Sequence, residues 1–331
     1  MSVNTSSTIS NRTNLYAEME MLRHAGPNIV LGKLGMVKQM PKNKTTTIKF
    51  RRPNVFTEAT TPITEGVTPP PTAFTFTDVS GSLAQYGMVV PHTDVIADTN
   101  EDPVVNEMSR QSGENIGRTT EALNWSTLKG GTTVFYANGS ARAGVNTAIS
   151  LNKVRAVVRS LKAQKAMPIT TVVKPGAKYE TFAVEPAYVA VAHTDMEADI
   201  RNLPGFVPCV QYGSYSKVCE EEIGKVENVR FVLSPDLDPI QAAGSATLNG
   251  MVADDSTNVD VYPVLFFGKE AFGTVALAGR GAVEPTLISA NQKTKDDPLG
   301  QRGYVGWLTW HLCLILNENW MARLECGATD L

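Results

Sequence analysis

At 331 residues, with 42% hydrophobic and 19% charged side chains, the chain holds enough apolar material for one large core or two smaller ones, which excludes wholesale disorder. Its longest apolar run, "WLTWHLCLIL" (307–316), is about half a bilayer span, and its polar start "MSVNTSSTISNRTN" has no secretory core, so neither a membrane partner nor export is expected. The net charge of −3 is laid out in blocks: +6 over residues 1–58, −6 over 59–130, +6 over 131–190 and −9 over 191–331. Such blocks suit contacts between segments or between copies, and they also suit ordinary solvated faces.

The N-terminal 43 residues are basic and contain one plausible helix, "TNLYAEMEMLRHA" (13–25), stopped by Gly26-Pro27. "TTTIKFRRPNVF" (45–56) reads as a strand, and "TAFTFTDVSGSLAQYGMVV" (72–90) as two strands broken near Ser80-Gly81. Between them "TEATTPITEGVTPPP" (57–71) cannot be helical, because proline lacks the donor and fixes φ. These segments together predict a long antiparallel arm with its tip at the prolines.

A helix is expected over 94–129, with Asp102 as N-cap, Pro103 next, and a stripe of Val104, Met108, Ser112, Ile116, Thr119 and Leu123. Gly130-Gly131 ends it. "TTVFYANGSARA" (132–143) predicts a hairpin turning on Asn138-Gly139. "SLNKVRAVVRSLKAQKAM" (150–167) predicts a basic amphipathic helix capped by Ser150, with Leu151, Val154, Val158 and Leu161 on its apolar face. In "VEPAYVAVAHTDMEADIRNLPGF" (184–206) a strand runs into a helix whose Thr194 and Glu197 form a capping box. Further buried strands are expected over 226–235 and 259–268, then a short helix over 269–277. Two apolar strands around Asn317-Glu318-Asn319 form a closing hairpin over 303–328.

No catalytic constellation emerges. The four histidines, His24, His92, His193 and His311, share no metal-ligand spacing; His193 stands near Asp195, Glu197 and Asp199 as a helix-start cluster, and His311 sits in an apolar strand as a packing residue. Neither a nucleophile elbow nor a phosphate loop is present, and "GRGAVE" (279–284) only echoes a dinucleotide motif. Cys209, Cys219, Cys313 and Cys326 form no CxxC pair and read as free thiols in a reducing compartment. No catalytic, cofactor or metal residues are therefore assigned.

A projecting arm, a loose basic N-terminus and complementary charge blocks point to a protein that binds copies of itself. The wording of "ALNWSTLKGGTTVFYANG" (122–139), "VAVAHTDMEADIRNLPGF" (189–206), "KVENVRFVLSP" (225–235), "VYPVLFFGKEAFGTVAL" (261–277) and "DPLGQRGYVGWLTWHLCLILNENWMARLE" (297–325) resembles the major capsid proteins of tailed bacteriophages, in particular the coat-protein family of N4-like podoviruses.

The resemblance implies an α+β fold shared with the herpesvirus capsid floor. It implies an N-terminal arm (1–43), an extended loop (44–91), a peripheral domain (92–185 with 285–331) containing a spine helix at about 94–129, and an axial domain (186–284). It further implies a non-enzymatic virion subunit, without cofactor, that assembles in the bacterial cytoplasm into pentamers and hexamers of an icosahedral capsid around double-stranded DNA. Its partners would be its own copies, a portal, possible scaffold or decoration proteins, and DNA held without sequence preference. The candidate inter-subunit contacts are Thr64, Pro69, Pro70, Pro71, Phe74 and Phe76 on the arm, and Arg155 and Arg159 on the basic helix. Rival readings are a head-decoration or tail β-rich binding module, and a phage-encoded hydrolase with a dispersed site.

Overall fold

The computed structural model describes residues 21, 24, 29–41, 43, 45–99, 104–174, 180–212, 217–255, 257–277, 283–290, 293 and 297–331. The expected helix over 13–25 and the Asp102-Pro103 cap fall almost entirely outside these residues. In chain order the first elements are α1 (Leu31–Leu34), β1 (Met36–Met40), β2 (Thr47–Pro53), β3 (Phe76–Ser82), β4 (Ala84–Thr93), α2 (Asp94–Thr99), α3 (Val104–Leu128), β5 (Val134–Tyr136) and α4 (Leu151–Ala163). They are followed by β6 (Ile169–Lys174), β7 (Glu180–His193), α5 (Glu197–Arg201), β8 (Phe206–Pro208), β9 (Glu222–Val226), β10 (Val229–Ser234), β11 (Tyr262–Phe267), β12 (Phe272–Leu277), β13 (Glu284–Ile288), β14 (Arg302–Ile315) and β15 (Met321–Cys326).

Two sheets organise these elements. The larger has eight strands in the order β5-β15-β11-β7-β10-β9-β8, with β6 paired to the first half of β7. Its strands β10, β11 and β15 are buried at every position; β11 is accordingly an unbroken apolar run, whereas β10 and β15 also bury Arg230, Arg323 and Glu325. Successive residues still serve opposite faces. Ala190, Phe231, Val264, Phe266 and Leu324 pack on one side against Val154, Val157 and Leu161 of α4. Val189, Val191, Val232, Leu265 and Phe267 pack on the other against Trp125 and Leu128 of α3.

The smaller sheet runs β1-β12-β14-β13, with β4 along the other edge of β14. Helix α3 spans both sheets: its end lies on the large sheet, while Ile116 packs with Val305 and Trp307 of β14. The buried face of α3 is Ser109, Ser112, Gly113, Ile116, Gly117, Glu121, Asn124, Trp125 and Leu128. In its C-terminal half this face is rotated from the expected stripe, because Trp125 and Leu128 are inside where Thr119 and Leu123 were placed.

Five local expectations are corrected. The helix expected over 269–277 is absent: 272–277 form strand β12, which is drawn onto β14 with Phe272 opposite Ile315. The last two strands do not form a hairpin: β14 belongs to the small sheet and β15 to the large one. Between them Asn317 accepts from the Asn319 amide at 3.2 Å, and a short 3-10 turn redirects the chain from one sheet to the other. Nor is 132–143 a hairpin, since β5 pairs in parallel with β15. The Thr194–Glu197 capping box is replaced by His193, whose Nδ1 accepts from the Asp195 amide at 3.2 Å. Ser150 occupies the N-cap position of α4, but its side chain makes no capping bond.

Candidate assembly surfaces

The arm is real, and its shape is sharper than its sequence suggested. Strands β2 and β3 pair from Thr47↔Ser82 to Pro53↔Phe76. Beyond them the chain turns at Thr64–Val67, where the Val67 amide donates to the Thr64 carbonyl at 3.1 Å and Gly66 takes φ +79°. The tip is therefore Glu65-Gly66, and Pro69, Pro70 and Pro71 stiffen the returning limb instead. Every residue from 53 to 78 is exposed, including Thr64, the three prolines, Phe74 and Phe76.

What holds the arm is local. Arg51 pairs with Asp78 at 2.9 Å, Thr47 Oγ1 meets Ser82 Oγ at 3.1 Å, and Asn54 bonds both Thr75 and Thr77. Cross-strand pairs of this kind are individually weak, and water screens the exposed ion pair further. Phe56 and Phe74 stack at 5.4 Å, Phe74 meets Phe76 edge-on at 4.5 Å, and the Arg51 guanidinium lies 5.3 Å from the Phe76 ring. An aromatic cluster held open to water is unusual in a hairpin without a core.

A second surface is internal. The segment around α1 lies along α3 like a strap. The buried carboxylate of Glu121 accepts the Leu31 amide at 2.9 and 3.2 Å, and a Cβ at Gly113 would collide with the Met21 carbonyl oxygen. Gly113 is thus glycine because another backbone passes over it. Burial pushes the Glu121 carboxyl up to about 7, against the opposing pull of the Leu31 and Val30 amides. The sequence reading missed Glu121, although a carboxylate between Gly117 and Asn124 on the inner face of a helix was a signal of a buried bond.

The basic helix divides its two candidates. Arg155 is engaged with its own chain, donating from Nε to Glu227 at 2.9 Å. Arg159 is exposed, and among the described residues it makes no ion pair. The structure brings neither arginine together with the arm.

The chemistry-bearing residues are spent on packing. No group of three or more His, Cys, Asp or Glu side chains that could hold a metal occurs among the described residues. His193 contacts Asp195 at 3.1 Å, and His311 bonds Asn124 at 2.8 Å from a buried site that pushes its pKa down to about 4. Burial raises the thiols of Cys219 and Cys326, and carries that of Cys313 up to about 12, so all three are poor nucleophiles at neutral pH. An open groove of about 680 Å³ lies between β4 and α3, with Met88, Val90 and Met108 on its floor and Glu107, Glu114 and Arg118 in its lining.

The sequence profile of the phage capsid protein family matches residues 76–313, from the returning strand of the arm through most of β14. No curated protein sequence matches the chain. Among solved structures, the capsid of Ralstonia phage GP4 is similar with a TM-score of 0.65 at 13% identity, covering 91% of this chain and 90% of that one. The capsid of cyanophage Pam1 follows at 0.60 and 15% identity, covering 93% of each chain. The capsid of cyanophage P-SCSP1u is similar at 0.58 and 15% identity, covering 91% of this chain and 89% of that one. At these identities the structures establish the tailed-phage capsid fold, and the profile establishes kinship: the chain belongs to the phage capsid protein family and is a structural coat subunit.

Proposed function

We propose that this subunit builds pentamers and hexamers of an icosahedral shell around double-stranded DNA, in a phage related to the N4-like podoviruses, and that each arm rests on a neighbouring copy. The observation that carries the reading is the arm itself, whose aromatic cluster has no core to enter within its own hairpin. Many weak contacts then suffice, because a subunit already held by one neighbour meets the next at high effective concentration. Thr64 and the three prolines would lie over the neighbour, and Arg159 would reach an acidic stretch within 59–130 of another copy. Arg155 would serve mainly to fix the helix through Glu227.

Within the subunit, 44–91 would form the extended loop, 92–185 with 285–331 the peripheral unit and 186–284 the axial unit, the last two joined by the large sheet, in which β5, β6 and β15 run with β7 through β11. Assembly would take place in the bacterial cytoplasm, with a portal and a scaffold or decoration protein as further partners. DNA would be held through phosphate charge rather than base sequence. Negative-stain microscopy of the purified protein tests the reading. Closed shells hundreds of ångströms across are expected, and uniform small particles under all assembly conditions would overturn it.

A further inference from the structure

The strap is clasped to the body at two points. At one, the Glu121 carboxyl of α3 accepts the Leu31 amide. At the other, Lys33 Nζ donates to Glu221, just before β9, at 2.9 Å. Between these points Val30 and Leu31 are buried in one apolar cluster with Trp125, Leu128 and Phe272. Downstream the strap passes into β1, which pairs in parallel with β12 from Met36↔Gly273 to Met40↔Leu277, and a Cβ at Gly35 would collide with the Phe272 ring. Glu121 is the unusual member of this seat, since its side chain is wholly enclosed. The groups that face it are Lys33 from the strap, already engaged by Glu221, Asp236 from the segment after β10, and Cys313 from β14. His311 of β14 bonds Asn124, one turn further along α3. A negative charge on Glu121 has the Leu31 and Val30 amides and, among the described residues, no ion-paired cation to replace its water.

We propose that the strap is a proton-controlled latch: residues 29–35 stay seated on α3 while the Glu121 carboxyl is neutral and lift from it when the carboxyl ionises, with both sheets left folded. The sign follows from which state exposes the group. Seated, the carboxyl lies in surroundings that disfavour its charge; lifted, it meets water and returns to its ordinary 4.5. Burial holds it up at about 7 in the seated form, so seating is at full strength below 4.5 and weakens about tenfold per pH unit as pH rises to 7. Across that window His311, pushed down to about 4, and Cys313, pushed up to about 12, stay neutral. The pairing of β1 with β12 keeps the downstream end in place. Lifting would uncover Leu31 and the Trp125 and Phe272 surface beneath it, so the latch would control access to an apolar face of α3. The inference rests on the fold of the single subunit and is independent of where the arm docks.

Hydrogen exchange of the full chain, read by mass spectrometry from pH 5 to pH 8 and corrected for the intrinsic pH dependence of exchange, tests this. Peptides covering 29–35 are expected to lose protection roughly 70-fold over that range, and to be far less protected at every pH than a peptide covering β11. Glu121→Gln keeps an acceptor oxygen and cannot ionise, so it is expected to flatten the profile. A change of less than about threefold in the unsubstituted chain, or an undiminished slope in Glu121→Gln, would overturn the proposal. Equal protection over 29–35 and β11 would overturn it too, because the strap would then leave only when the whole chain unfolds. If the glutamine chain does not fold, Lys33→Met decides. It removes the second clasp and leaves the carboxyl, so protection over 29–35 should fall at every pH with the slope kept. Loss of the slope in that variant would move the titration to the Lys33–Glu221 pair and sink the assignment to Glu121.

Discussion

The large sheet and the arm use the same kinds of side chain to opposite ends. Phe231 and Phe266 meet edge-on at 6.3 Å with no exposure at all, whereas Phe74 and Phe76 meet edge-on at 4.5 Å with about half of each ring in water. The first pair is surrounded by β-strands and a helix, so its burial stabilises the monomer. The second pair is surrounded by solvent, so it adds little to the stability of the monomer. On the proposed docking of the arm, folding energy and assembly energy would be kept in separate parts of one chain.

Phe266→Ala should destabilise the monomer by about 4 kcal/mol, as truncation of a fully enclosed ring does, and denaturant unfolding measures it. Failure to lose more than about 1 kcal/mol would mean that the large sheet is not the folding unit.

Next comes the strap, where the effect is a slope with pH. The Glu121 carboxyl ordinarily titrates at 4.5 and is raised to about 7 in the fold. Its contribution is therefore complete below 4.5 and is lost as pH rises to 7, on the order of 3 kcal/mol. His311 has the reverse sign: its pKa falls from 6.5 to about 4, so its contribution is complete above 6.5 and is lost as pH falls to 4. Thermal melts of Glu121→Gln between pH 4 and 8 should show the acid-side advantage gone and the His311 slope exposed. An unchanged profile would put the titration elsewhere.

Deletion of residues 60–72 should change monomer stability by less than about 1 kcal/mol, because these residues are all exposed, yet block closed shells in the microscope. Shells from this variant would show that the tip is dispensable. The smallest effect is expected at Arg159, where reversal to Glu should leave the melting temperature unchanged and reduce particle yield a few-fold. The same change at Arg155 should instead cost some stability, since it leaves Glu227 facing a like charge.

Much of this was legible locally. Helix α4 announced itself by spacing, β10 and β11 by their apolar runs, and the arm by threonine and proline around a low-charge strand pair. What escaped reading was pairing at long range. "KEAFGTVAL" suits a helix on its own, and only the edge of β14, about 40 residues later, makes 272–277 a strand. The Asn317-Glu318-Asn319 turn has hairpin chemistry, but its neighbours go to different sheets because Phe267 and Met321 pair across the large one while Phe272 and Ile315 pair across the small one. The aromatic cluster was half read: Phe74 and Phe76 stood out in sequence, whereas Phe56 joins them only once the hairpin closes.

One consequence of β4 concerns mechanics. Only Leu83 separates β3, in the arm, from β4, which is paired to β14 over ten positions from Ala84↔His311 to Thr93↔Arg302. A pull along the arm would therefore load these ten positions side by side, in shear, rather than unzip them one after another. Rupture in shear requires many hydrogen bonds to fail together, so the hairpin can transmit tension into the body of the subunit without peeling away. A shell whose subunits are tied by such arms would resist stretching across its surface even though each arm, taken alone, is only a two-stranded ribbon.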